Sequence, residues 1–165
     1  VIEEFWRGSE MEVEVHIIEK YFQVIKGCFT MSNIRLKGGK EIDLLAINPK
    51  TNRRYHIESR VSTSHKLKIK ETFTKTGKRH RNGVDFFHNE KFEHPTVKEG
   101  ITKFFGNNDY QKILVVYNYE DGAKEEARKF GIEVIRINEI LSELMNLKFE
   151  GARDEILRTV DLFHE

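Results

Sequence analysis

Apolar and polar positions alternate in two neighbouring stretches, Glu41-Ile42-Asp43-Leu44-Leu45-Ala46-Ile47 and Tyr55-His56-Ile57-Glu58-Ser59-Arg60. A period of two is that of a half-buried strand. Between them lies Asn48-Pro49-Lys50-Thr51-Asn52, a run of turn formers, so the pattern predicts a hairpin. Centring its turn between Lys50 and Thr51 sets the register. Asp43 then faces Glu58, Glu41 faces Arg60 and Leu45 faces His56, while Ile42, Leu44, Ala46, Tyr55 and Ile57 form a core surface on the other side.

The remaining periodicities place the other elements. Met11, Val15, Ile18, Phe22 and Ile25 recur at helical spacing, which predicts a helix over 9–26 with Ser9 as N-cap and Gly27 as its stop. Residues 28–36 read as a strand, and Lys37-Gly38-Gly39-Lys40 as a tight turn. A helix is expected to start near Pro95, with Val97, Ile101 and Phe104 inward. Residues 112–117 form a near-continuous apolar run, the mark of a central strand covered on both faces. A short helix over 122–130, with Ala123, Ala127 and Phe130 inward, leads to a strand over 131–137, a parallel crossover. Helices over 139–147 and 150–163 complete the chain. Residues 62–93 lack a clear period and read as a strand pair or a loop.

These elements fit one α/β domain over residues 1–165, with a mixed sheet flanked by helices, an insert at about 62–93 and C-terminal helices at about 139–163. The chain is 38% hydrophobic with 12 Phe, enough for a core, and 33% charged. No apolar run approaches the roughly 20 residues that span a bilayer, so no membrane partner is expected. No stretch reads as a secretory signal. The single cysteine, Cys28, excludes an intrachain disulfide and a multi-cysteine zinc site, and is expected to be buried. An intracellular, cytoplasmic location is the expectation. Net charge is only +1, but its distribution is uneven. Lys66, Lys68, Lys70, Lys75, Lys78, Arg79 and Arg81 stand within 65–81 against Glu71 alone. This is a candidate polyanion contact, with a solvated basic loop as the alternative.

The predicted hairpin poses a chemical problem. Directly opposed side chains lie about 4.5–5.5 Å apart at Cβ, and like charges there are destabilising. Asp43 and Glu58 therefore require a cation, a shared proton or solvent, and a divalent metal is the solution that also does chemistry.

The order helix, three-stranded meander, helix, strand resembles the core of the PD-(D/E)XK nuclease superfamily, which includes restriction endonucleases and archaeal Holliday-junction resolvases. Gly39-Lys40-Glu41-Ile42-Asp43-Leu44-Leu45-Ala46 resembles its second-strand motif, and His56-Ile57-Glu58-Ser59-Arg60 its third. The likeness spans residues 8–137 apart from the basic insert. It implies a restriction-endonuclease-like αβββαβ core. It also implies a site in which Asp43 and Glu58 hold Mg²⁺ or Mn²⁺, with the Ser59 carbonyl as a third ligand. Many members add a Glu from the first helix, and Glu12 is favoured here over Glu14 and Glu19. Arg60 stands where the family usually has Lys. Arginine stays protonated and cannot be a general base, although it can hold a phosphate oxygen. Its alternative is an ion pair with Glu41.

The expected activity is metal-dependent hydrolysis of phosphodiester bonds in DNA, with RNA as an alternative substrate. The competing expectations are a catalytically weak or inactive nuclease-fold module that binds nucleic acid or a protein partner, and a structural domain with solvated carboxylates. A two-fold homodimer would suit duplex cleavage. His80, His88 and His94 are expected in polar or half-buried roles rather than as ligands, and His65 as a remote candidate near phosphate.

Overall fold

Five strands form one mixed sheet in the order β1-β2-β3-β4-β5. The computed structural model describes residues 2–147, with side chains from residue 13 onward; the predicted helix over 150–163 lies outside the described residues. The elements are α1 (Ile2–Val24), β1 (Phe29–Arg35), β2 (Glu41–Ile47), β3 (Arg54–Arg60), α2 (an α turn at Val84–Phe86 running into a π-helical turn at Phe87–Phe92), α3 (Pro95–Phe105), β4 (Gln111–Val116), α4 (Ala123–Lys129), β5 (Ile132–Arg136) and α5 (Ile137–Met145). Strands β1 to β3 form an antiparallel meander, and β4 and β5 add in parallel to β3.

Two layers of helix cover the sheet. On one face, Leu44, Ala46, Tyr55, Ile57, Ile113 and Val115 pack against Ile17, Ile18, Tyr21 and Phe22 of α1 and against Ile140 and Leu144 of α5. On the other, Leu114, Val116 and Val134 meet Val84, Phe87 and Phe92 of α2 and Ala123 and Ala127 of α4. The alternating sides of β4 thus face two cores, as its unbroken apolar run requires. None of the described helices is long and apolar enough to cross a membrane. Cys28 is buried.

The hairpin forms in the expected register, with Leu45 opposite His56 and Leu44 opposite Ile57. Its turn is held by the Asn48 side chain, which accepts N–H bonds from Lys50 and Thr51 at 2.9 and 3.1 Å. The ladder ends at Leu44–Ile57, so the expected continuation through Asp43 and Glu41 does not occur as regular pairing. On the other side of β2, the register passes from Ser32–Leu44 to Ile34–Ile42, skipping Asn33, whose φ of 52° lies in the left-handed region. The pleat is therefore interrupted at Asp43. Ile42 consequently leaves the face expected for it and packs with Ile34, Leu45, Val97 and Ile101 beneath α3.

Three further expectations need correction. Helix α1 begins at Ile2, so Ser9 is an interior residue and not its N-cap. The Glu-rich start is helix-forming, and one Gly costs only about 1 kcal/mol there. Phe104 is exposed, and the neighbouring Phe105 packs with Ile101 instead. The 62–93 insert contains neither a regular strand pair nor only loop. Isolated bridges tie Leu67 to Tyr119 and Lys68 to Gly83, residues 72–80 fold back through the Phe73–Arg79 bridge, and α2 follows.

Candidate active site

The candidate site lies where β2 parts from β3. In a regular ladder the rung after Leu44–Ile57 would join Ser59 to Ile42. Instead the Ser59 N–H donates to Asp43 Oδ2 at 2.8 Å. The carboxylate has taken the place of a backbone carbonyl, which explains both the end of the ladder and the inward set of Asp43. A residue in an extended strand sends its N–H and C=O to the same side. The Ser59 carbonyl therefore also faces the gap beside Asp43.

Glu58 is fully buried, and both its oxygens face cationic or polar partners. His56 Nε2 lies 2.8 Å from Oε1, and Lys91 Nζ lies 3.0 Å from Oε2. His56 is equally buried, seated edge-on against Phe92 and Tyr110. Residues 56 and 58 share a strand face by the period of two, which is why an i, i+2 pair can meet.

The charges do not balance. Two buried carboxylates, Asp43 and Glu58, are met by one ammonium, that of Lys91. Burial pushes the Asp43 carboxyl up to about 7, and the Glu58 charge adds to the push, while Lys91 and the Ser59 N–H hold it back. Burial alone would lower the Lys91 pKa, but the carboxylates of Glu58 and Asp43 outweigh it and the ammonium is held above its usual range. The residual negative charge suits a hard divalent cation, which commonly binds one or two carboxylates and keeps several waters. Asp43, Glu58 and the Ser59 carbonyl are the groups that could hold one. Among the described residues no three His, Cys, Asp or Glu side chains cluster as a ready-made metal cage.

The other expected residues are distributed as follows. Arg60 ends β3, exposed, opposite Val116 of β4, and makes no ion pair with Glu41 among the described residues. The Glu12 side chain lies outside what the structure describes. Of its rivals, Glu19 is engaged by Thr30 and Ser32 of β1 at 2.8 and 3.4 Å. In the basic segment only Arg79 and Arg81 line a cleft of about 340 Å³ that also includes Lys91. Lys66, Lys70, Lys75 and Lys78 are exposed, and Lys68 is half-buried. His94 caps α3, accepting from Thr96 N at 3.3 Å, and His88 stacks on Phe130.

Lys91, His56 and Lys40 are the residues that sequence reasoning missed. Lys91 carried a signal: Val84, Phe87 and Lys91 recur at i, i+3 and i+7, so a charge sits on an inward stripe. His56 carried a weaker one, being on the Glu58 side of its strand. Lys40 joins the cleft through the Gly38-Gly39 turn, and its ammonium lies 2.8 Å from Glu90 Oε2.

No family model and no curated protein matches the chain. Among solved structures, the crystal structure of a protein of unknown function, AF1548, is similar to it, with a TM-score of 0.53 and 16% identity over 85% of this chain and 72% of that one. At that identity the likeness is one of fold: a mixed five-stranded sheet flanked by helices.

Proposed function

We propose that this chain is a metal-dependent nuclease that hydrolyses phosphodiester bonds in DNA on a restriction-endonuclease-like core. The observation that carries the reading is the pair of buried carboxylates, Asp43 and Glu58, close enough for the charge of one to act on the other, beside a single lysine ammonium where the β2–β3 ladder ends. The motif resemblance, the element order and the basic cleft beside Lys91 support it.

Asp43, Glu58 and the Ser59 carbonyl would hold the Mg²⁺ or Mn²⁺. When bound, such an ion lowers the pKa of a water and offsets charge developing on the phosphate. The chain's own residues do the rest. The Ser59 N–H fixes one Asp43 oxygen, and His56 fixes one Glu58 oxygen, so the two acids present defined edges to the gap. Lys91 is protonated at neutral pH and donates: it steadies Glu58 and can turn to a non-bridging phosphate oxygen. It thus supplies an amine at the site where Arg60, at the strand end, does not. Arg60 remains exposed for contact with the flanking backbone.

Plasmid incubated with Mg²⁺ or Mn²⁺ tests this directly. Nicking by the wild-type chain and its loss in Asp43→Ala are expected; equal nicking by both proteins removes the assignment. A second reading, a nuclease-fold module that binds nucleic acid without cutting, is favoured by one observation: both Glu58 oxygens already have partners in His56 and Lys91.

A further inference from the structure

We infer that the cleft beside the candidate centre takes one unpaired nucleotide of a DNA strand, so that single strands and overhanging ends are favoured over blunt duplex. The inference draws its purpose from the nuclease reading, but its binding claim stands on the cleft alone.

The cleft has a volume of about 340 Å³ and opens to solvent, so it can take one nucleotide whose base face is free to stack. Its chemistry is that of a nucleotide site. The Arg79 guanidinium lies over the Phe86 ring, 5.1 Å from the centroid. Glu71 Oε2 accepts from Arg79 Nε at 2.6 Å and fixes that plane. A flat cation held on an aromatic ring is a platform on which a base stacks, whatever its identity. Charge for the phosphate comes from Lys40 and Arg81. Arg81 is exposed and has no ion pair among the described residues, so its charge is available. The Gly38-Gly39 turn also lines the cleft. Both glycines hold left-handed φ values, 70° and 71°, and nothing lies within 4 Å of where a β-carbon would stand, which leaves the wall open to a sugar-phosphate.

Glu90 gives the cleft its internal competitor. Its carboxylate lies 2.8 Å from Lys40 Nζ and 4.0 Å from an Arg79 nitrogen. It occupies the position of an anion between two cations, and Lys40 holds its pKa below the usual range. A DNA phosphate entering the cleft competes with Glu90. Lys91, the next residue, lines the same cleft and reaches Glu58, so a nucleotide seated there has its neighbouring phosphodiester beside the carboxylates.

The test is fluorescence anisotropy in the Asp43→Asn background, without divalent metal, using one labelled strand alone, as a blunt duplex, and as a duplex with an overhang. The single strand and the overhang are expected to bind at least about tenfold tighter than the blunt duplex. Phe86→Ala should weaken single-strand binding about tenfold, a loss of the size seen for one stacked base. Phe86→Leu, which keeps the packing, should weaken it similarly. Arg81→Ala should lower the slope of log K against log salt by about 0.7. Glu90→Gln should tighten binding, an effect that a purely structural role would not produce. Equal affinity for strand and blunt duplex, or indifference to both Phe86 variants, overturns the inference. If the wild type cuts DNA while these variants change nothing, this inference falls alone. If the cleft binds as expected and the wild type cuts nothing with metal, the nuclease reading falls and the cleft stands.

Discussion

Lys91 Nζ lies 3.0 Å from Glu58 Oε2, joining the central strand β3 to the helical turn that ends the insert. The residue that balances the buried acid therefore comes from the segment with the least legible sequence. Replacing it by methionine leaves Glu58 enclosed without an ammonium. Losing one partner of a buried pair costs roughly 3–5 kcal/mol. Because Lys91 is itself about a quarter exposed, Lys91→Met is expected to cost about 2–3 kcal/mol in urea unfolding. Lys91→Arg should recover most of that.

The raised pKa of Asp43 has a defined sign in stability. Its folded value is about 7 against an ordinary 3.8. Between these values the unfolded chain has lost the proton that the folded chain retains, so stability falls as pH rises through that window and is level above it. Asp43→Asn removes the charge while still offering an oxygen to the Ser59 N–H. The variant should be more stable than the wild type at pH 8, by roughly 1–3 kcal/mol, with the difference vanishing towards pH 4. A wild-type advantage at pH 8 would contradict the buried, uncompensated charge.

Cation binding should be coupled to the same proton. Calorimetric titration with Mn²⁺ in buffers of different ionisation enthalpy should show close to one proton released near pH 6 and almost none near pH 8.5. Asp43→Asn should abolish both the heat and the release.

Gly83 tests whether the insert is built as described. A β-carbon there would stand 2.0 Å from Glu71 N and 2.2 Å from Asp85 Oδ1. Backbone on one side leaves no cheap adjustment, so Gly83→Ala is expected to cost about 3 kcal/mol. Because Gly83 precedes α2, the change should also displace Lys91 and reduce nicking beyond the stability loss, measured well below the melting temperature.

The sheet was legible because its strands obey local rules. The Asn48 turn, the alternation in β2 and β3, and the two-sided apolar run of β4 each follow from side-chain period and turn chemistry. The register also put Asp43 and Glu58 on neighbouring strands, although the regular pairing stops one residue short of them. What could not be read was the break at Asp43, since a side chain replacing a ladder rung leaves no periodic trace, and Ile42 changed faces with it. The insert was opaque for a related reason. Its hydrogen bonds are single bridges, such as Leu67 to Tyr119, between residues distant in sequence. Lys91 and Lys40 reach their partners through that non-local geometry, although the position of Lys91 on the Val84–Phe87 stripe was a hint.

Glu58 has no solvent-exposed surface, whereas Lys91, whose ammonium lies against it, is about a quarter exposed. On its other flanks stand β4, with Leu114 alongside, and the enclosed ring of His56. Rotation about side-chain torsions is a local motion, whereas separating strands is far slower. On the proposed metal-dependent reading, a small hydrated ion would reach the acid by a swing of the lysine, with no separation of strands, and its entry should be fast compared with turnover.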